Sequence, residues 1–254
     1  LDLAHTVGAW LFVVQAALDV QWRFAQWGDA TSAWPLLGWM LVPVAYLWAL
    51  TLPKVQSWWP LRDHFKPYVM VSALPLVVYL LAWVWITNGY SDGSAAPLPY
   101  VPLLNPLEIA QVAVLLGATL WWWSLRAQPA LRGSAPLAVM VLGGTAFAVI
   151  TAGVIRACHH WAAIPWQAGA LMDSSVVQTS LSIVWSVLAI VLMLLGNRRR
   201  HRWIWIVGAT LVAAVVAKLF LVELASSGSL ARIVSFIVVG LLLLLVGYLA
   251  PLPP

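Results

Sequence analysis

Charge is the scarcest property of this sequence. Asp, Glu, Lys and Arg together make up 8% of its 254 residues, against about a quarter in an ordinary soluble domain, so a water-soluble fold is excluded. Cysteine is nearly absent too: Cys158 stands alone, so there is no intrachain disulfide, and cysteine usage says nothing about redox compartment. The chain opens on Leu1 and lacks a basic segment followed by a short apolar core and a small-residue cleavage site. It therefore reads as a piece cut from something longer. The net charge is +5, but four of the thirteen basic residues form one short run, Arg198, Arg199, Arg200 and Arg202, and the others are scattered. No nucleic-acid partner is implied.

What the chain has in abundance is apolar surface: 63% of the residues are hydrophobic. A bilayer-spanning helix takes about 20 of them, so this is enough for roughly eight such helices. Runs of suitable length occur at Leu3–Leu18, Trp34–Leu52, Tyr68–Thr87, Leu107–Leu125, Pro136–Ile155, Ser175–Leu195, Trp203–Val222 and Ala231–Ala250. The first is diluted by Asp2, His5, Gln15 and Asp19, and lying flat in the interface is its alternative. Lys54, Arg62 and Lys66, then Arg126 and Arg132, then the Arg198 to Arg202 run fall in bends on one side of an alternating eight-span chain. The positive-inside rule makes that side cytoplasmic, with both termini inside. The expected fold is an all-α integral membrane protein of about eight transmembrane helices in one bundle, a single polytopic domain over residues 1–254 in the bacterial inner membrane, with the lipid bilayer as its first partner.

Local signals mark the helix ends. Asn105, Pro106 and Glu108 form a helix start, and Asp173, Ser174 and Ser175 form another. Pro43 and Pro75 lie inside spans and remove a backbone donor each. Ala209, Ala213 and Ala217 make a small-residue stripe on which another helix is expected to pack. Trp is used eighteen times, which reads as aromatic belts at the two headgroup levels. The segment between spans three and four holds no Lys or Arg. With Pro97, Pro99, Pro102 and Pro106 it must be extended, and it is expected to lie across the outer mouth of the bundle as a static plug, a ligand lid being the alternative.

Three stretches carry a family resemblance. They are Pro97-Leu-Pro-Tyr-Val-Pro-Leu-Leu-Asn-Pro106, then Arg156-Ala-Cys-His-His-Trp161 with Ile164-Pro-Trp166, and the tail from Lys218-Leu-Phe-Leu-Val-Glu223 through Leu230-Ala-Arg-Ile-Val-Ser-Phe236 to Gly247-Tyr-Leu-Ala-Pro-Leu-Pro-Pro254. The chain resembles the C-terminal part of the bacterial polytopic membrane proteins termed domain of unknown function 2339. Glu223 departs from the Asp expected there. The resemblance implies a fragment ending at the natural C-terminus, with the N-terminal part of the same chain as a partner, and it brings no activity.

Ionisable groups within a bilayer are expensive, so each calls for a partner, a cavity or a function. Arg156, at the close of the fifth span, offers a planar fork for carboxylate or phosphate, and His159 and His160 just after it are the candidates for a general acid or base. Alternatively Arg156 snorkels to headgroups while the histidines finish the helix. Lys218, Asp173, Gln178, Glu223 and Arg232 complete the ligand-binding candidates. Glu223 is expected to meet Arg232 across a short turn, leaving Lys218 to Asp19, Asp173 or another helix. Ser174, Gln178 and Ser182 share one helical face that should look into the bundle. Cys158, His159 and His160 are consecutive, about 100° apart on a helix, and cannot all converge on one ion. No metal or cofactor is expected. The first functional reading is a scaffold or partner-docking membrane domain of a larger envelope protein. The second is an enzyme or binder for a lipid-linked or phosphorylated anionic headgroup, and the third a transporter.

Overall fold

The computed structural model describes residues 2–26, 32–218, 240 and 244. Among these the regular elements are helices, besides an isolated antiparallel bridge between Ala95 and Leu98. The chain divides into two compact units, Leu1–Trp166 and Gln167–Pro254. The first holds α1 (Asp2–Phe24), α2 (Trp34–Thr51), the short α3 (Pro53–Gln56), a π-helix (Lys66–Ser72) running into α4 (Ala73–Tyr90), α5 (Pro106–Leu125) and α6 (Ala135–Ala162). The second holds α7 (Ala168–Asp173), α8 (Ser175–Arg199) and α9 (Arg202–Lys218).

Among the described residues six helices are long and apolar enough to cross a membrane: α1, α2, the joined π-helix and α4, α5, α6 and α8. The seventh expected span is described over the 17 residues of α9. The rest of it, and all of the eighth except residues 240 and 244, lie outside the described residues. The first span runs to Phe24 instead of Leu18, because Asp19 and Arg23 pair at 3.0 Å one turn apart and carry the helix onward. It buries Thr6, Ala9, Val13 and Ala17, a face of period three to four, and packs on α2 and the π-helix as a member of the bundle. The crossing of α1 and α2 is close: a Cβ at Gly38 would sit 2.5 Å from the Gln21 Cα. Pro75 lacks the N–H that an α-helix would offer to Val71, and the wide π turn lies immediately before it, where a missing bond can be absorbed.

The core of the first unit is formed by α2, α4 and α5, with Leu47, Leu50, Leu80, Val84, Leu107 and Val114 among its buried residues. Tryptophan binds these helices together. Trp48 donates to the Ala113 carbonyl at 3.0 Å, Trp83 to that of Leu36 at 3.0 Å, Trp121 to that of Val69 at 2.8 Å and Trp10 to that of Ser72 at 3.1 Å. Trp85 and Trp122 donate to the hydroxyls of Thr145 and Ser134. The belt reading is incomplete for these residues, each of which also fastens one segment to another. An indole N–H away from water needs an acceptor, and a carbonyl already in a helix has a second lone pair to give. Gly117 makes room for one of these clamps, since a Cβ there would lie 2.8 Å from the Trp48 Nε1.

In the second unit α8 and α9 form a hairpin. Arg200, at φ +54°, closes α8, and the His201 N–H donates to the Gly196 carbonyl at 2.9 Å. The face of α9 packed on α8 is Gly208, Val212 and Val215, with Ala209 partly buried beside it, whereas Ala213 and Ala217 are exposed. Glycine decides this. A Cβ at Gly208 would meet the Ala189 carbonyl oxygen at 2.7 Å, and one at Gly196 would meet the Trp205 N at 2.5 Å.

Candidate functional site

Polar groups gather at one end of the first unit, where the loop 91–105 meets the end of α4, the start of α5 and the last turns of α6. Asn105 is the N-cap expected from the sequence: its Oδ1 accepts from the Leu107 N–H at 2.9 Å, with Pro106 in the first turn. Its Nδ2 donates to the Gly93 carbonyl at 2.7 Å, tying the cap to the loop. Glu108 is buried. It accepts from the Leu103 N–H at 2.6 Å and from the Tyr100 hydroxyl at 2.5 Å. Burial, and after it this hydrogen bond, raise the Tyr100 phenol above its ordinary pKa, so it stays a proton donor.

Arg156 is the centre of the arrangement. α6 continues past it to Ala162, so it does not close its span, and at 0% exposure it does not snorkel to headgroups. Its guanidinium donates from Nε to the Ser91 carbonyl at 3.1 Å and from Nη1 to the Gln111 Oε1 at 3.4 Å. From Nη2 it donates to the Thr87 carbonyl at 3.1 Å and the Asn88 Oδ1 at 3.2 Å. Four acceptors from three separate parts of the chain thus meet the five N–H groups of one planar fork. Gln111 Nε2 donates in turn to the Thr87 Oγ1 and the Asn88 Oδ1, each at 3.0 Å. Gly93, at φ +79°, lies so near that a Cβ would stand 3.1 Å from the Arg156 Cδ.

His159 and His160 occupy the last turn of α6, which ends on Ala163 in the left-handed region. The His159 Nδ1 is 2.5 Å from the Ile164 carbonyl oxygen, and the His160 Nε2 is 3.0 Å from the Asp92 carbonyl oxygen. The His160 ring stacks on Tyr100 with centroids 4.3 Å apart. Cys158 is buried. The other expected site residues lie elsewhere. In the second unit Lys218 donates to the Gln178 carbonyl and to the Ser182 Oγ, both at 2.7 Å, so the polar face of α8 receives it. Gln178 donates through Nε2 to the Met172 carbonyl at 2.9 Å, Ser174 caps α8, and Asp173 is exposed at the end of α7. Glu223 and Arg232 lie outside the described residues.

Asp92, Asn88, Tyr100 and Gln111 are the members of this region that the sequence reading passed over. A signal for one of them, Gln111, existed. Glu108 and Gln111 are three apart on α5, and Gly153, Arg156 and His160 lie at spacings of three and four on α6, which aligns each set on one helical face.

Helices of this length and apolarity, with Glu108 and Arg156 buried among them, define an all-helical polytopic membrane protein. A family model described as "Predicted membrane protein (DUF2339)" matches residues 1–253, and the chain belongs to that family. It is also similar to the inner membrane ABC transporter permease protein YnjC of Escherichia coli (strain K12), 25% identical over 210 residues, which covers 77% of this chain and 40% of that relative. The chain therefore matches less than half the length of that curated relative. No solved structure matches.

Proposed function

We propose that this chain is a non-catalytic scaffold in the bacterial inner membrane, the docking membrane domain of a larger envelope protein. The observation that carries this reading is the enclosure of Arg156. Four of its five donors go to Thr87, Asn88, Ser91 and Gln111, and at 0% exposure it turns no fork outward for a phosphate or carboxylate. The loop 91–105 is tied down along its length. Beyond the bonds already given, the Ala33 N–H donates to the Ser94 carbonyl at 2.7 Å and the Trp34 indole to the Ala96 carbonyl at 2.8 Å. It is a static plug in this reading. The bends bearing Lys54, Arg62, Lys66, Arg126 and Arg132 face the cytoplasm, both termini of an eight-span chain lie inside, and the loop 91–105 is outside.

The test is alanine replacement of Arg156, His160 and Lys218 in the full-length protein, with membrane level and envelope phenotype scored separately. Phenotype falling only in step with protein level supports the scaffold. Phenotype lost at normal level would show a working site and overturn it in favour of the headgroup reading. The similarity to an ABC transporter permease favours transport as the second reading. Its test is whether the full-length protein supports solute uptake in inverted vesicles, and uptake above the empty-vesicle level would displace the scaffold.

A further inference from the structure

Asp92, His159 and His160 come together from two distant stretches of chain, and the scaffold reading does not use them as a group. One ring nitrogen of each histidine and a carboxylate oxygen of Asp92 all lie within 4.8 Å of one another, and the three residues are partly buried. We propose that they form a binding site for a divalent transition-metal ion, zinc by its chemistry, which fastens the loop 91–105 to the end of α6. Cys158 is not a ligand of this site; the third ligand is Asp92, brought in by the loop.

The hydrogen bonds around the cluster set each group in a ligating state. A carbonyl oxygen has no proton to give, so the His159 Nδ1 carries the hydrogen that meets Ile164, and in the neutral ring the Nε2 is the nitrogen with the lone pair a metal takes. That Nε2 faces the Asp92 Oδ2 at 3.6 Å. A lone pair opposite a carboxylate oxygen is repulsive, and the distance exceeds a hydrogen bond. It does match two ligands of one tetrahedral zinc ion, which stand about 3.4 Å apart when each bond is about 2.0–2.1 Å. The Asp92 Oδ1 accepts from the Ser94 N–H at 2.8 Å, which fixes the carboxylate and leaves Oδ2 for the cation. The His160 Nε2 donates to the Asp92 carbonyl, leaving Nδ1 as its basic nitrogen, and the ring is held flat on Tyr100. Each candidate ligand thus has its other polar atom engaged by a second partner, the usual support of a metal site. Two imidazoles and one carboxylate suit zinc and its first-row neighbours and disfavour magnesium or calcium, which take oxygen ligands. The fourth position falls to water. No step of chemistry is assigned to the ion.

The experiment titrates the full-length protein in detergent, stripped with a chelator, with Zn2+ alone, Co2+ alone and Mg2+ alone. Expected are one zinc ion per chain, a visible Co2+ spectrum of a tetrahedral nitrogen and oxygen site, and no response to Mg2+. Asp92→Asn keeps an acceptor for Ser94 while removing the carboxylate, and together with His159→Gln it should weaken zinc binding by at least about 100-fold. Absence of stoichiometric zinc in the unaltered protein would overturn the proposal. So would unchanged binding in both variants, which would leave His159 as an imidazolium paired with Asp92, or a thiolate-to-cobalt band implicating Cys158.

Discussion

Replacing Arg156 with Met is the sharpest probe of how this fold is held. The methionine keeps most of the apolar stem of the side chain and removes its donors. Four acceptors, the carbonyls of Thr87 and Ser91 and the side-chain oxygens of Asn88 and Gln111, then lose a partner in the protein interior. The Thr87 carbonyl keeps the Ser91 N–H and the Asn88 Oδ1 keeps the Gln111 Nε2, so two acceptors are stranded and two lose a second bond; at lower limits of about 1 and about 0.5 kcal/mol for each, the loss is about 3 kcal/mol. That agrees with the roughly 3–5 kcal/mol typical of breaking a buried charged network, here one that also leaves the buried Glu108 without its guanidinium neighbour. Arg156→Lys keeps the charge but not the fork, and one ammonium cannot meet acceptors spread over three segments, so about half the loss is expected. Equilibrium unfolding in mixed micelles, followed by tryptophan fluorescence, measures both. A methionine variant within about 1 kcal/mol of the parent would refute the reasoning. A variant of parental stability that lost an anionic-lipid interaction would show that the guanidinium serves a ligand instead.

Gly38→Ala should cost about 1–3 kcal/mol by forcing α1 off α2, since the new methyl would meet the Gln21 backbone, while Gly8→Ala, with nothing within 4 Å, should be neutral or stabilising; thermal melts of the two variants in one detergent compare them. Trp121→Phe should cost about 1–3 kcal/mol through the lost bond to Val69 and the vacated volume, against less than about 0.5 kcal/mol for the exposed Trp161→Phe, and equal effects in the same unfolding assay would restore the belt reading. Tyr100 gives a pH signature. Its pKa is raised in the folded state, so below the unfolded value of 10.0 it is protonated in both states, and above it the unfolded chain loses the proton first. Stability should therefore fall as pH rises through 10, and Tyr100→Phe should lessen that slope; an identical slope in both proteins would contradict the assignment.

The membrane class, the helix positions and several helix ends were legible in the sequence because they rest on local signals. A run of apolar residues must be helical in lipid whatever it packs against, and the Asn105 cap or the Ser174 cap is set within four residues of chain. The α9 contact face was not legible. An alanine stripe and a glycine with β-branched neighbours are both plausible surfaces, and only the close approach of α8 chose Gly208, Val212 and Val215. The tryptophan clamps were not legible for a related reason: composition reveals the ring but not the carbonyl opposite it.

That this chain is a helical membrane protein was written in its sequence, since apolar length and scarcity of charge are properties of composition and order. Tertiary structure alone decided what the scarce polar groups do. Arg156 might equally have faced lipid headgroups or the interior, and the choice depended on four acceptors converging from α4, the loop and α5. Likewise Asp92 had no visible connection to His159 and His160 until the loop folded back over α6. Hydrogen bonds and charge interactions act over a few ångströms of space, and residues far apart along the chain acquire that proximity only when the helices are packed.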